Sequence, residues 1–285
     1  MSYPLVVLFD FRYDMKNIGI TQRFISLWFV AFALLGTLGN VAGAVPEELR
    51  ICSDPGNLPF SNQQLQGFEN KIADLIASEM GMRAAHYWWP AQRGMVRSFL
   101  NTGRCDVLIG VPTGYDRVTF TKPYYRTSYV IAYDQTRDFS IDSLDDDILK
   151  TLKIGVHVNT PPHGALARRG IMGNQVKAYP LFFDSQYSVE DYPGRVVEEL
   201  LAKKIDVAII WGPIAGYFVK KHAAPLAMIP LEGIENRIPF TFKISMGVRK
   251  RENELKAKLE AALQRKQPEI QQVLEDYGVP LLPLN

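Results

Sequence analysis

Only a few polar residues in this 285-residue chain fall close enough together to suggest chemistry. His157 and His163 flank the turn "VNTPP". Imidazole is a common metal ligand, but this spacing matches no common zinc motif. Asp142, Asp145, Asp146 and Asp147 crowd "DSLDDDILK", which invites a calcium or lanthanide reading. That segment lacks the glycine and the closing glutamate of an EF-hand loop. Acidic residues opening a short helix, where the helix dipole favours them, are the simpler account. No "GxSxG", "HExxH" or phosphate-binding glycine loop occurs. An enzyme would need a positioned acid or base, and Asp54, His163 and Asp184 are the plausible ones. The expectation is therefore a protein that is not an enzyme and that carries no metal and no cofactor.

Aromatic rings give a stronger signal. "HYWWPAQRG" (86–94) sets three large rings side by side and holds half of the chain's four tryptophans. A soluble domain hides such rings or uses them. On a strand, Tyr87 and Trp89 point one way while His86 and Trp88 point the other. One ring then joins a core, and Trp88 or Trp89, at the strand's carboxyl end, reaches a cleft. Burial of all of them as ordinary core is the alternative.

These rings need elements to position them. "LRICSD" reads as a strand and "PGNLPFSN" as a turn. "GFENKIADLIASEMGM" is a helix with Phe68, Ile72, Leu75, Ile76 and Met80 on one stripe and Gly81 as its stop. "AAHYWW" is a strand, "GMVRSFLNTG" a short helix, and "CDVLIGV" a continuous apolar run, as expected of a parallel strand buried on both faces. The plan then repeats. "LKIGVHV" and "AYPLFF" are strands, and a helix starts near Ala165. "PGRVVEELLAKK" is an amphipathic helix with Glu198, Glu199, Lys203 and Lys204 outward, followed by the buried run "IDVAIIW" and the helix "PIAGYFVKKH". A closing strand and two helices follow, with Pro268 opening the last and Gly278 ending it. Strands alternating with helices imply parallel sheets covered on both sides.

Between Arg23 and Val45 lies an uncharged apolar block. Basic residues precede it and Ala42-Gly43-Ala44 closes it, the order of a secretory signal cleaved after Ala44. A membrane anchor is the competing reading. After cleavage the chain is expected in the periplasm, free of the membrane and monomeric. The net charge of +2, without a basic run, argues against a nucleic-acid partner. The two cysteines, Cys52 and Cys105, are expected to form a disulfide, as a lone pair in an exported protein usually does, a free buried pair being the alternative.

"GFENKIADLIASEMG", "NTGRCDVLIGVPTGYDR" with "FTKPYY", "LAKKIDVAIIWGPIAGYFVK" and a closing "GVRK" occur in this order over essentially the whole chain after residue 44. In that order they resemble the type II periplasmic solute-binding proteins. Finer details, "RICSDPGNLPFSN", "YWWPAQRGMVRSFLNTGRCDVLIGVP", "TKPYYRTSYV" and "HVNTPPHGALARRGI", resemble one branch, the J proteins (MoxJ and XoxJ types) encoded beside quinoprotein methanol dehydrogenases. The resemblance implies an α/β fold of two lobes, residues 45–135 with 243–285 and residues 136–242, each a mostly parallel sheet flanked by helices. Hinges are expected near 131–138 and 239–245, with ligands held in the cleft at strand carboxyl ends.

Amino-acid-binding members of the family grip their ligand with an arginine, a "G-T" turn and an aspartate that takes the ammonium. Here Trp211 stands where that aspartate falls, and Pro161 and Pro162 remove donors from the turn that carries Asn159 and Thr160. Arg117 lies closer than usual to Pro123, so it either reaches the cleft or forms a surface ion pair. Trp211 could equally pack into its own lobe. A free amino acid is thus an unexpected cargo. The cleft is expected to be broad and ring-lined, with Phe60, Trp88, Trp89, Tyr124, Tyr125 and Trp211 as walls, joined by Asp54, Asn57, Arg117, Asn159, Thr160, His163 and Asp184. The resemblance implies a periplasmic quinoprotein methanol dehydrogenase as partner. An importer's solute-binding subunit for an aromatic or quinone-like molecule is the runner-up.

Overall fold

The computed structural model describes residues 46–89, 94–181 and 192–284. The leader expected over 1–44 lies outside them, as does Asp184. No helix among the described residues is long and apolar enough to cross a membrane.

The chain begins with strand β1 (Glu48–Ser53), the small hairpin β2 (Gly56–Asn57) and β3 (Ser61–Asn62), and helix α1 (Phe68–Glu79). β4 (Arg83–Trp88), a π-helical turn (Val96–Leu100), β5 (Val107–Pro112) and β6 (Thr119–Phe120) follow. The long β7 (Tyr125–Asp134) leads to β8 (Ile154–His157), α2 (Pro161–Arg168), β9 (Val176–Tyr179), α3 (Arg195–Leu201), β10 (Val207–Trp211) and α4 (Gly212–Lys221). β11 (Leu226–Pro230), the hairpin β12 (Ile234–Glu235) and β13 (Ile238–Pro239), β14 (Thr241–Val248), α5 (Asn253–Arg265) and α6 (Gln267–Asp276) complete it.

The main sheet runs β4-β1-β5-β14-β7-β10-β8-β9, with β11 added on β7 and β6 on β14. Its two ends are parallel, β4-β1-β5 and β10-β8-β9. Between them β14 is antiparallel to β5 and to β7, and β7 is antiparallel to β10. Both central strands change partner along their length. Tyr125–Ser128 pair with Thr241–Ile244, whereas Tyr129–Tyr133 pair with β10.

The apolar runs are explained by cover on two faces. Along β10, Val207 and Ile209 pack with Tyr129, Ile131 and Leu166, while Ala208 and Ile210 pack with Val196, Val197 and Phe218. In the first half, Leu49, Ile51, Val107 and Ile109 face α1, α5 and α6, while Cys52 and Leu108 face Val96, Phe99 and Leu100. Cys52 and Cys105 are bonded within that second cluster.

Three local expectations are corrected. "AYPLFF" does not extend as a strand across Pro180: β9 stops at Tyr179, because proline offers no N–H to a ladder. "GMVRSFLNTG" winds as a π-helical turn, with the Asn101 N–H donating to the Val96 carbonyl. Glu199 does not face solvent: it is 4% exposed and accepts from Lys177 Nζ (2.5 Å), Tyr179 Oη (2.5 Å) and Arg195 Nε (3.2 Å). A carboxylate can be buried only with such partners. Although burial opposes its charge, these donors draw its pKa from 4.5 to about 2. With a depressed folded-state pKa, its stabilisation is present above about pH 4.5 and lost as pH falls through 2. Glu199→Gln is expected to lower stability at pH 7 and to remove the loss on acidification across that window, as urea melts at several pH values would reveal.

A last feature joins the two halves. Gly278, with φ +71°, releases the chain from α6. The tail then accepts from Thr127 Oγ1 at the Pro280 carbonyl (2.8 Å), while the Leu282 N–H donates to the Arg126 carbonyl (2.9 Å). Gly278 lies against Gly216 of α4, where an added Cβ would stand 1.8 Å from the Gly278 carbonyl oxygen. Tyr277 stacks on Tyr217 at 5.8 Å beside that contact.

Candidate functional site

The site is built first by the "PGNLPFSN" turn and the start of α1. Ser61 Oγ donates to the Asp54 carbonyl (2.8 Å) and accepts from the Asp54 N–H (3.1 Å), and Asp54 Oδ1 accepts from the Gly56 N–H (2.8 Å). The Glu69 N–H donates to the Phe60 carbonyl (2.9 Å). Gly67 allows that approach, since a Cβ there would meet the same carbonyl oxygen at 2.0 Å. Asp54, Asn57, Phe60 and Glu69 are thereby held along one wall. Across from α1, Gly110 of β5 leaves room for the Glu69 carboxylate: its missing Cβ would lie 2.2 Å from Oε1.

The facing wall comes from the sheet's centre and second half. Trp211 ends β10 as the residue capping α4, and it touches all three large apolar clusters. Its indole meets Tyr129 edge-on at 5.0 Å and Phe242 at 5.6 Å. Tyr125, Leu181, Ile214 and Ile244 close the space, a cavity of about 320 Å³.

Its polar content is small and one-sided. Asp54 and Glu69 supply carboxylates, and no lysine, arginine or histidine lines the cavity among the described residues. Burial, reinforced by the charge of Asp54, pushes the Glu69 carboxyl up to about 7. Burial also raises the Tyr125 and Tyr129 hydroxyls above the ordinary tyrosine range. The Asn57 Oδ1 is buried without a hydrogen-bond partner among the described residues.

Of the residues expected in a cleft, the fold brings together Asp54, Asn57, Phe60, Tyr125 and Trp211. The others lie elsewhere. Trp88 stacks on His86 (5.3 Å, 14°) because β4 alternates its faces. Trp89 packs against Phe99 at 5.3 Å, beside the disulfide cluster. Tyr124 is core, donating its hydroxyl to the Ile109 carbonyl (3.0 Å), with its ring edge-on to that of Tyr125 at 5.0 Å. Arg117 is exposed. Asn159 is exposed with φ +60°, and Thr160 turns its hydroxyl onto the His157 carbonyl (2.6 Å). His163 accepts from the Asn159 N–H at 3.4 Å. These three build the turn before α2 and do not line the cavity. The aspartates of "DSLDDDILK" are taken up locally. Asp146 accepts from the N–H groups of Asp142 and Ser143, Asp147 pairs with Lys150, and Asp145 pairs with Arg169. Among the described residues no group of three or more His, Cys, Asp or Glu is placed to hold a metal.

Sequence reasoning passed over Glu69, Tyr129 and Phe242. Glu69 stands one residue off the apolar stripe of α1. A usable signal existed for Tyr129, which shares a face with Tyr125 at the i, i+4 spacing of a strand.

Comparison with known proteins accords with this architecture. Residues 49–279 match the family of bacterial extracellular solute-binding proteins, family 3. The chain is 33% identical over 250 residues to Protein MoxJ of Methylorubrum extorquens, covering 83% of this chain and 82% of that protein. It is 31% identical over 271 residues to Protein MoxJ of Paracoccus denitrificans, covering 86% and 93%. The crystal structure of periplasmic binding protein XoxJ from Methylobacterium extorquens AM1 superposes with a TM-score of 0.68 at 38% identity, over 82% of this chain and 99% of that one.

Proposed function

Since the chain belongs to the bacterial extracellular solute-binding proteins of family 3, we propose that it is a periplasmic accessory protein of methanol oxidation. In this reading it binds a quinoprotein methanol dehydrogenase in its apo or maturing form. The carrying observation is the cavity wall. Trp211, Tyr129 and Phe242 form one edge-to-face ring cluster at the position where amino-acid binders place an aspartate. No lysine, arginine or histidine among the described lining residues can pair with a free carboxylate. A surface of that kind suits an apolar protrusion of a protein partner. The likeness to the two MoxJ proteins and to XoxJ supports the association with methanol oxidation. The basic-apolar-small order before Val45 supports the periplasm. Rotation about β7 and β14, the strands that pair in both halves, would open and close the site.

A test is co-elution of the purified protein with the metal-free dehydrogenase on a sizing column, followed by titration. The pair is expected to form one complex, and Trp211→Ala is expected to weaken it about tenfold, a loss near 1.4 kcal/mol. Absence of a complex with both metal-free and metal-loaded dehydrogenase would overturn the reading.

A second reading has its own support. A cavity of about 320 Å³ falls at the lower end of small-molecule sites. That volume suits a solute-binding subunit of an importer with an aromatic ligand.

A further inference from the structure

We propose that the cavity holds an organic cation, an ammonium or guanidinium on an apolar stem, with its charge against Glu69 and its stem among Phe60, Tyr129 and Trp211. The inference rests on the reading that this cavity is the binding site, and it adds the chemistry of the guest.

Two observations and one general property of aromatic rings converge. Glu69 makes no side-chain hydrogen bond or ion pair among the described residues, and the neighbour whose charge acts on it is another carboxylate, Asp54. A carboxylate in a largely apolar cavity is costly until a positive group meets it. Next, Tyr125 and Tyr129 line the same cavity at 4% and 8% exposure, and their hydroxyls have no hydrogen-bond partner among the described residues. The buried Asn57 Oδ1 is likewise unpaired. Carboxylate, amide oxygen and phenol oxygens can all accept. A guest that satisfies them must be rich in donors, as ammonium with three N–H and guanidinium with five are. Finally, aromatic faces attract cations through the ring quadrupole.

The alternatives fit less well. An anion would meet the Glu69 carboxylate, which has no ion pair among the described residues. A purely apolar guest would leave the acceptors unpaired. A free amino acid would bring a carboxylate that meets no cationic side chain among the described lining residues.

The pH dependence follows from the groups around Glu69. These are Asp54 from the turn after β1, Tyr124 just before β7 and Tyr125 at its start, with neutral Gly110 facing it from β5. A bound cation favours the ionised carboxylate. Binding therefore releases a proton below pH 7 and tightens as pH rises toward that value.

The test uses three molecules of one shape: phenethylammonium, 2-phenylethanol and phenylacetate. Each is titrated calorimetrically into the full-length protein and into Glu69→Gln. At pH 8 the ammonium is expected to bind about tenfold more tightly than the alcohol, with the carboxylate weakest. In Glu69→Gln the ammonium and the alcohol should become nearly equal. The proposal is overturned if the alcohol or the carboxylate binds as well as the ammonium. It also falls if the ammonium fails to bind at millimolar concentration, or if Glu69→Gln keeps the preference.

Competition then separates the sources of the charge. Displacement of the dehydrogenase by phenethylammonium assigns the charge to a lysine or arginine of the partner, whereas binding without displacement assigns it to a free amine; both outcomes support the cation site. Ammonium binding in a protein that forms no dehydrogenase complex upholds this inference and removes the functional reading. A complex with no ammonium binding does the reverse.

Discussion

Replacing Cys52 and Cys105 together by alanine is expected to cost about 4 kcal/mol of stability, the value chain entropy gives for a loop of this length. The cysteines are 53 residues apart, joining β1 to the entry of β5 across the intervening α1 and β4. Cutting the bond frees that whole stretch in the unfolded ensemble. In the folded state the losses are smaller, because other contacts hold the same corner. Arg249 Nη1 donates to the Cys105 carbonyl (2.5 Å), and Asp106 is clasped by Arg50 (2.5 Å) and Arg249 (3.0 Å). The variant should therefore fold, with its melting temperature lowered by roughly 8–16 °C. Cys52 also lines the cavity, so any guest should bind more weakly as well. Thermal unfolding of the double variant, and of the parent with and without reductant, checks this. A shift of only a degree or two would show that the bond adds little.

The second large effect concerns Glu69. Its carboxyl rises from 4.5 to about 7, chiefly through burial and next through Asp54. With the folded-state value raised, the empty protein loses stability as pH climbs from 4.5 through 7, because the charged form is disfavoured only when folded. At 1.36 kcal/mol per unit, the shift has an upper bound near ~3 kcal/mol. Glu69 is partly exposed, so solvent reduces this to about 2 kcal/mol. Glu69→Gln is expected to match the parent near pH 4 and to exceed it by about that amount near pH 8. Guanidinium melts at the two pH values decide it, and equal stability at both would refute the assignment.

Much of the fold was legible because its signals are local. The double-sided apolar runs of β5 and β10, the stripe on α1 and the stop at Gly278 each follow from side-chain period or backbone freedom. The disulfide followed from the cysteine count and the expected export of the chain. The cavity was legible only in part, since it depends on which residues the sheet's central strands bring together. Trp211 was expected on the wall through the family resemblance, and Phe60 and Asn57 through their turn; all three line the cavity. Trp88 and Trp89 are not among the residues lining the cavity, and alternation along β4 gives the face and not what covers it: His86 takes one ring and Phe99 the other. Tyr124 and Tyr125 could not be separated by sequence, although one is core and the other wall. Glu69 and Glu199 were missed for a shared reason. A charged residue on an amphipathic helix is read as solvent-facing, and only tertiary structure reveals the partners or the void that receives it.

The backbone-on-backbone contact of Gly216 with Gly278 has a mechanical meaning. Two chains that touch there without side chains between them can roll but cannot draw closer, so the point works as a fulcrum. If one half moves against the other, such a contact makes that motion a rocking about α4 and the tail. A methyl group at position 216 would stand 1.8 Å from the Gly278 carbonyl oxygen and force α4 and the tail apart at that point.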